Sequence, residues 1–312
     1  MNAVSIDRVS SYVPPERLVV ERDYQRMGIA ERVAKVYSRL YELPYCPVSF
    51  ERQIELTMRP CREILRDVAD PDLVVAVIYA HTGAVIEGFG ASMPSIIARH
   101  LGLRRALTLG TCSSNCVSTL AALRIGASLI ARSPPGSQVL LVTGETADNP
   151  ELRSVHNVAV VGDAAAAALL SGSGDRNRLL GFAMHVHRGF SAGIWMDPDG
   201  LESARFTENY QTWLHDVIAE AVASAGLTID DVCWILPHNV NAWTWRRAAA
   251  RIGIPIEKIY LDNVSRTAHC LGADGLINLD SLSGTGMLRT GDCYVIASVG
   301  VGGTFGAAVF RH

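Results

Sequence analysis

Short apolar runs alternate with helical periodicity along most of this chain. Residues 73–79 form an unbroken apolar run of strand length, followed by helical spacing over 93–101. A short strand is predicted at 106–109, a buried helix at 117–131 and a strand at 138–143. The alanine-rich run 158–170 follows, interrupted by Gly162-Asp163. A second cycle then begins. Residues 179–186 are strand-like, and 209–225 read as a long amphipathic helix stopped by Gly226. A strand at 232–236 runs into Pro237-His238, and a helix at 244–252 is closed by Gly253 and Pro255. The last two strands are 293–299, which enters Gly300-Val301-Gly302-Gly303, and 304–310. Strands alternating with helices predict an α/β fold. No Pro/Ser/Gly linker separates the two cycles, so they are expected to share one body.

The 312 residues suffice for one large domain or two fused halves, and 49% are apolar. A net charge of −3 supplies no general attraction to nucleic acid or an anionic membrane. No apolar run approaches the ~20 residues of a membrane span, and no secretory leader pattern is visible. Seven scattered cysteines argue against a disulfide framework. Cys112 and Cys116 lack the second ligand pair of a zinc site, so no metal is expected. The expectation is a cytoplasmic protein without nucleic-acid or membrane partners.

Candidate chemistry starts at Cys116, where a small polar run, Gly110 to Asn115, turns into the apolar helix. The first turn of a helix favours a thiolate, the form that takes an acyl group from a thioester. Two later histidines, His238 and His269, lie in segments suited to partner it.

Five segments, in order and near-family spacing, carry a resemblance. They are Ile6-x-x-Val9-x-Ser11-Tyr12-Val13-Pro14, Ser114-Asn115-Cys116-Val117-Ser118-Thr119-Leu120, Val161-Gly162-Asp163-Ala164, Pro237-His238-Asn239-Val240-Asn241 and Gly300-Val301-Gly302-Gly303-Thr304-Phe305-Gly306. Together they resemble β-ketoacyl-ACP synthase III and its relatives in the thiolase-fold superfamily, over nearly the whole chain. The resemblance implies a thiolase-like, five-layered αβαβα fold of two similar halves. The first, 1–172, would carry the nucleophilic cysteine, and the second, 173–312, the histidines. It also implies a homodimer. No permanently bound cofactor is implied, and the substrate is an acyl-CoA or acyl-ACP thioester whose phosphopantetheine arm enters a buried tunnel. The chemistry is ping-pong: cysteine takes the acyl group, and a second substrate then attacks the acyl-enzyme.

Carried over residue by residue, Cys116 is the nucleophile and His238 a donor to the thioester oxygen. Asn241 would bind the pantetheine arm, as its family counterpart does; the alternative is a simple cap for the helix from Trp243 onward. The oxyanion hole would use the backbone N–H groups of Cys116 and Val301; the family has glycine at the second position. Arg246, Arg247 and Arg251 would meet an acidic carrier protein, or else form a solvated face. The residues 27–58 do not reproduce the family's donor-binding pattern, and Trp243 stands where the family tends to have arginine.

His269 is the main departure. It occupies the place of the family's triad asparagine, with Asp274 five residues on. A histidine accepts a proton where asparagine does not. Held by Asp274, it would serve as base for an attacking hydroxyl or amine, in the logic of a nucleophile–base–carboxylate triad. Asp274 equally fits a helix-start position. The reading is an acyltransferase of secondary metabolism that moves an acyl group to an O or N nucleophile on a small-molecule acceptor. The alternatives are a decarboxylative condensation with a malonyl thioester, and a non-catalytic partner subunit. The loops 83–92 and 187–206 are expected to shape the tunnel, the second at the acceptor entrance.

Overall fold

The computed structural model describes residues 4–312 apart from 67, 84–90, 149–151, 156–157, 191, 194–195 and 198. The N-terminal part forms β1 (Ser5–Tyr12), β2 (Arg17–Val19), α1 (Glu31–Arg39), β3 (Tyr45–Pro47), α2 (Gln53–Leu65) and β4 (Val74–Ala80). It continues with α3 (Met93–His100), β5 (Leu107–Thr111), α4 (Ser118–Ile130), β6 (Gln138–Glu145), β7 (Ser154–Val155), β8 (Ala159–Val160) and β9 (Ala164–Ser171). The C-terminal part forms β10 (Arg178–Val186), α5 (Leu201–Ser224), β11 (Val232–Leu236), α6 (Ala242–Ile252), α7 (Val264–Thr267), α8 (Asp274–Thr285), β12 (Cys293–Gly300) and β13 (Thr304–Arg311).

The main sheet has the order β11-β12-β13-β10-β1-β9-β6-β4-β5. Its two parts repeat one pairing scheme. β1 pairs antiparallel with β9, β9 with β6, and β6 parallel with β4. β10 pairs antiparallel with β13, β13 with β12, and β12 parallel with β11. The parts join at β1 and β10 through one register pair, Ser5 with Arg178. The expected division at 172/173 falls in the turn between β9 and β10.

Strand side chains alternate between faces, and here both faces are covered, so the strands read as continuous apolar runs. Ile54, Met58 and Ile64 of α2 and Ile97 of α3 cover one face, against Leu140, Val142, Ala167 and Leu169. The opposite face, with Leu141, Ala168 and Leu170, packs on α4 and α8 through Leu120, Leu123, Leu276 and Leu279. Those helices also pack on Ile296, Ala308 and Phe310 of the other part of the sheet. Its outer face, with Val295, Ala297, Ala307 and Val309, is covered by Val217 and Ile218 of α5 and Trp245 and Ala248 of α6. The result is five layers, αβαβα, with α4 and α8 at the centre.

Several expectations shift. The helix 209–225 starts eight residues earlier, at Leu201, and the helix 244–252 starts at Ala242. The run 158–170 divides into β8 and β9, with Gly162-Asp163 between them. A Cβ at Gly162 would lie 2.4 Å from the Thr267 carbonyl oxygen, so glycine lets the His269 segment approach. Asp163 is fully buried and binds Arg153 through both oxygens, at 2.6 and 2.8 Å. It also accepts from the backbone N–H groups of Ser49 and Ala147, which ties three loops to the start of β9. The Gly-Asp motif is thus structural. Of the loop 83–92, residues 84–90 lie outside the described residues, as do 191, 194–195 and 198 of the loop 187–206. No helix among the described residues is long and apolar enough to cross a membrane.

Candidate active site

Cys116 sits in a 3₁₀ turn, Asn115–Val117, that leads directly into α4. The turn is tight. Asn115 has φ +51°, and its N–H donates to the Cys112 carbonyl at 3.1 Å. Ser298 Oγ donates to the Cys116 carbonyl at 3.0 Å, fastening the turn to β12. A Cβ at Gly300 would lie 2.6 Å from the Ser114 carbonyl oxygen, so the glycine turn 300–303 packs on the nucleophile turn. A Cβ at Gly302 would likewise lie 2.8 Å from Asn115 Nδ2, so the turn that carries Val301 packs on the turn that carries Cys116. Among the described residues, the backbone N–H groups of Cys116 and Val301 have no acceptor. The side chain tolerated at 301 therefore leaves the backbone donor available.

His269 is held by backbone on both sides. Its N–H donates to Val160 O, and its carbonyl accepts from Gly162 N–H, both at 3.0 Å. Ala268 just before it has φ +53° and ψ −154°, a conformation normally left to glycine, costing on the order of 1–3 kcal/mol. That backbone aims the ring inward, with Nε2 at 3.4 Å from Cys116 Sγ. On the far side, Nδ1–H donates to Asp274 Oδ2 at 2.6 Å. A carboxylate only accepts, which fixes the hydrogen on Nδ1.

Asp274 is the first residue of α8, but its carboxylate does not cap that helix. Oδ1 accepts from Cys270 N–H at 2.7 Å, and Oδ2 also accepts from Asn239 N–H at 2.6 Å. One buried carboxylate therefore ties the His269 segment to the His238 segment. Cys116, His269 and Asp274 are each 5% exposed or less. Burial works against a charged His269, but the Asp274 carboxylate and the Cys116 sulfur outweigh it and push its pKa up to about 10.

His238 follows β11. Its N–H donates to Ala297 O at 3.0 Å, and its carbonyl accepts from Trp245 Nε1 at 2.9 Å. The rings of His238 and His269 lie 6.1 Å apart, centre to centre. Burial, and then the charge on His269, hold His238 well below the usual histidine range, so it is neutral. Its Nε2 lies 2.8 Å from the Tyr210 hydroxyl. Sequence reasoning missed Tyr210. The available signal was the aromatic spacing Phe206, Tyr210, Trp213 on one face of a helix.

The other predicted residues lie differently. Asn241 Oδ1 caps α6 by accepting from Thr244 N–H at 2.6 Å, and Nδ2 donates to Val158 O at 2.9 Å. Both ends are used within the fold, which is the capping reading rather than the pantetheine one. Arg246, Arg247 and Arg251 are exposed on α6. Arg246 pairs with Glu42, and Arg251 donates to Thr212 Oγ1. Below Cys116, between α4 and α8, lies a cavity of about 20 Å³, lined mainly by apolar side chains including Leu120, Leu123, Leu141 and Leu276. The seven cysteines are free.

Family models locate this arrangement. The one for 3-oxoacyl-[acyl-carrier-protein (ACP)] synthase III matches residues 112–187, and that for its C-terminal region matches 222–312. The two matches span just over half of the chain. The chain belongs to the 3-oxoacyl-ACP synthase III family. A synthase III from Rhizorhabdus wittichii is 26% identical over 228 residues, covering 67% of this chain and 70% of that one. The fold matches ChlB3, an acyltransferase, with a TM-score of 0.87 at 19% identity, over 99% of this chain and 97% of that one. It matches the 3-oxoacyl-ACP synthase III of Pseudomonas aeruginosa PAO1 with a TM-score of 0.82 at 21% identity, over 99% and 98%. As a synthase III-type protein, the chain is an acyl-transferring or condensing enzyme, and enzymes of this family use CoA or ACP thioesters.

Proposed function

We propose that the protein moves a short acyl group from a CoA or ACP thioester, through a Cys116 acyl-enzyme, to an oxygen or nitrogen nucleophile. The observation that carries this reading is the chain Cys116 Sγ–His269 Nε2–Asp274 Oδ2, at 3.4 and 2.6 Å. An asparagine at 269 could donate to an oxyanion but could not hold a proton. An imidazole backed by a buried carboxylate can. A carbon nucleophile made by decarboxylation brings no proton to remove, whereas a hydroxyl or amine does.

The proton balance closes. Cys116 thiolate attacks the thioester carbon, and a new C–S bond forms. As the old C–S bond breaks, imidazolium at His269 gives its Nε2 proton to the departing thiolate. His269 is then neutral, and Nε2 takes the proton of the acceptor as oxygen or nitrogen attacks the acyl-enzyme. Collapse expels Cys116 as thiolate, and the ion pair with imidazolium is restored. The backbone N–H groups of Cys116 and Val301 receive the oxyanion in both halves.

The cavity beneath Cys116 supports a short acyl chain. Its ~20 Å³ is about the space of one water-sized group, which suits the end of a two- or three-carbon acyl group. The three arginines of α6 give a basic face for an acidic carrier protein. β5 is the end strand of the sheet, with Leu107 exposed, and is the edge on which a second copy would continue it.

One observation favours condensation instead: a second, neutral histidine 6.1 Å from the first could help hold an enolate. The two readings separate on carbon dioxide. With a malonyl thioester, the transfer reading predicts a malonyl-enzyme that keeps its carboxylate and passes it to the acceptor. Stoichiometric release of carbon dioxide with a new β-ketoacyl product would overturn transfer in favour of condensation.

A further inference from the structure

We propose that the phenol of Tyr210, rather than the imidazole of His238, is the side chain that donates a hydrogen bond to the reacting thioester oxygen. His238 then acts as a positioning residue through it. The inference rests on the acyl-enzyme reading above, but holds for either a transferred or a condensed product.

His238 Nε2 and the Tyr210 hydroxyl are 2.8 Å apart, and one of them donates to the other. His238 Nδ1 is buried and has no partner among the described residues. Suppose the phenol donates to Nε2. The neutral ring then carries its hydrogen on Nδ1, as a buried N–H with no acceptor. Such orphaned donors are the rarer kind in native proteins, and cost about 1–3 kcal/mol. Suppose instead that Nε2–H donates to the phenol oxygen. Nδ1 is then a bare acceptor, the more tolerated case, and the phenol hydrogen is free. The second arrangement turns the inward nitrogen of His238 away from substrate and presents an O–H in its place.

Packing holds that O–H. Phe206 and Phe305 lie edge-on to the Tyr210 ring at 5.7 Å each, and Trp213 lies 5.7 Å from Phe305. Phe305 lies two residues beyond the glycine turn that carries Val301. The phenol thus stands between His238 and the turn bearing a candidate oxyanion donor. Burial, and then the charge of Cys116, hold Tyr210 above the usual phenol range, so it keeps its proton at working pH. A protonated phenol backed by a neutral imidazole needs no proton transfer: it stabilises the oxyanion by hydrogen bonding alone.

The test uses whole enzyme acylated by a short acyl-CoA with a ¹³C-labelled carbonyl. Intact mass reports acylation, and isotope-edited infrared spectra report the hydrogen bonds on the acyl carbonyl. Tyr210→Phe keeps the ring and deletes the O–H. The expected results are a labelled adduct, a carbonyl band moved to higher wavenumber, and deacylation to an acceptor slowed about 10²-fold. Site-specific 3-fluorotyrosine at 210, a stronger donor of nearly the same shape, should move the band the other way. The proposal is overturned if both changes leave the band in place and the Tyr210→Phe rate stays within twofold, while His238→Ala moves the band upward. Absence of any adduct on the wild type would instead overturn the acyl-enzyme reading, and this inference with it.

Discussion

Replacing Asp274 by asparagine probes the proton chemistry most sharply. The change conserves shape but removes one of the two groups, Asp274 and Cys116, that outweigh burial at His269. An adjacent opposite charge shifts a pKa by about 1–3 units, so its loss should lower His269 by about 2 units. His269 and Asp274 are buried, so solvent screening discounts little of this. At about 1.36 kcal/mol per unit, the imidazolium loses roughly 3 kcal/mol, on the order of 100-fold in the proton equilibrium. If half is expressed in the transition state, deacylation slows about 10-fold, and if all of it is, about 100-fold. The asparagine NH₂ must also face a backbone donor, Cys270 N–H or Asn239 N–H, which costs stability of about 1–3 kcal/mol. The assay is single-turnover transfer from preformed acyl-enzyme to an acceptor amine or alcohol, run below the variant's melting temperature. A rate within threefold of wild type would refute Asp274 as the group that holds the proton on His269.

Two further outcomes follow from the same geometry. His269 is raised in the folded state, so its contribution to stability is complete below about pH 6.5 and is lost as pH climbs through about 10. Denaturant melts over that range should show a loss that His269→Gln abolishes, and an identical slope in both proteins would contradict it. Leu120→Ala enlarges the cavity beneath Cys116 and should shift acylation towards longer chains, at a stability cost of about 2–5 kcal/mol. Unchanged chain-length preference, measured by competition between acyl-CoAs, would place the acyl group elsewhere.

The first β–α–β–α–β run was legible because its signals are local and strong. β4, α3, α4 and β6 are apolar on nearly every turn or face, and their predicted bounds lie within two residues of those observed. α5 was read eight residues short because Glu202, Arg205 and Glu208 mask its first turns, which are fixed by Phe206 packing on Phe190 and Phe305. α2 was not predicted. It carries Pro60 in its interior, which reads locally as a helix breaker, and the apolar face through Ile54, Met58 and Cys61 overrides it. The catalytic geometry divides in the same way. Asp274 is five residues from His269, so the pairing could be proposed from sequence. Tyr210 and His238 are 28 residues apart on different elements, and nothing local connects them. The Asn239 backbone contact with Asp274 is likewise tertiary, and so was invisible in the motif that contains Asn239.

Both transfer and condensation require Cys116 to carry the acyl group. Intact mass of wild type and Cys116→Ala after incubation with short acyl-CoA and acyl-ACP donors tests it directly. One full acyl mass is expected on the wild type, released by an acceptor nucleophile, and none on the variant. An adduct that persists in Cys116→Ala, or a wild type inert to every donor, would contradict it.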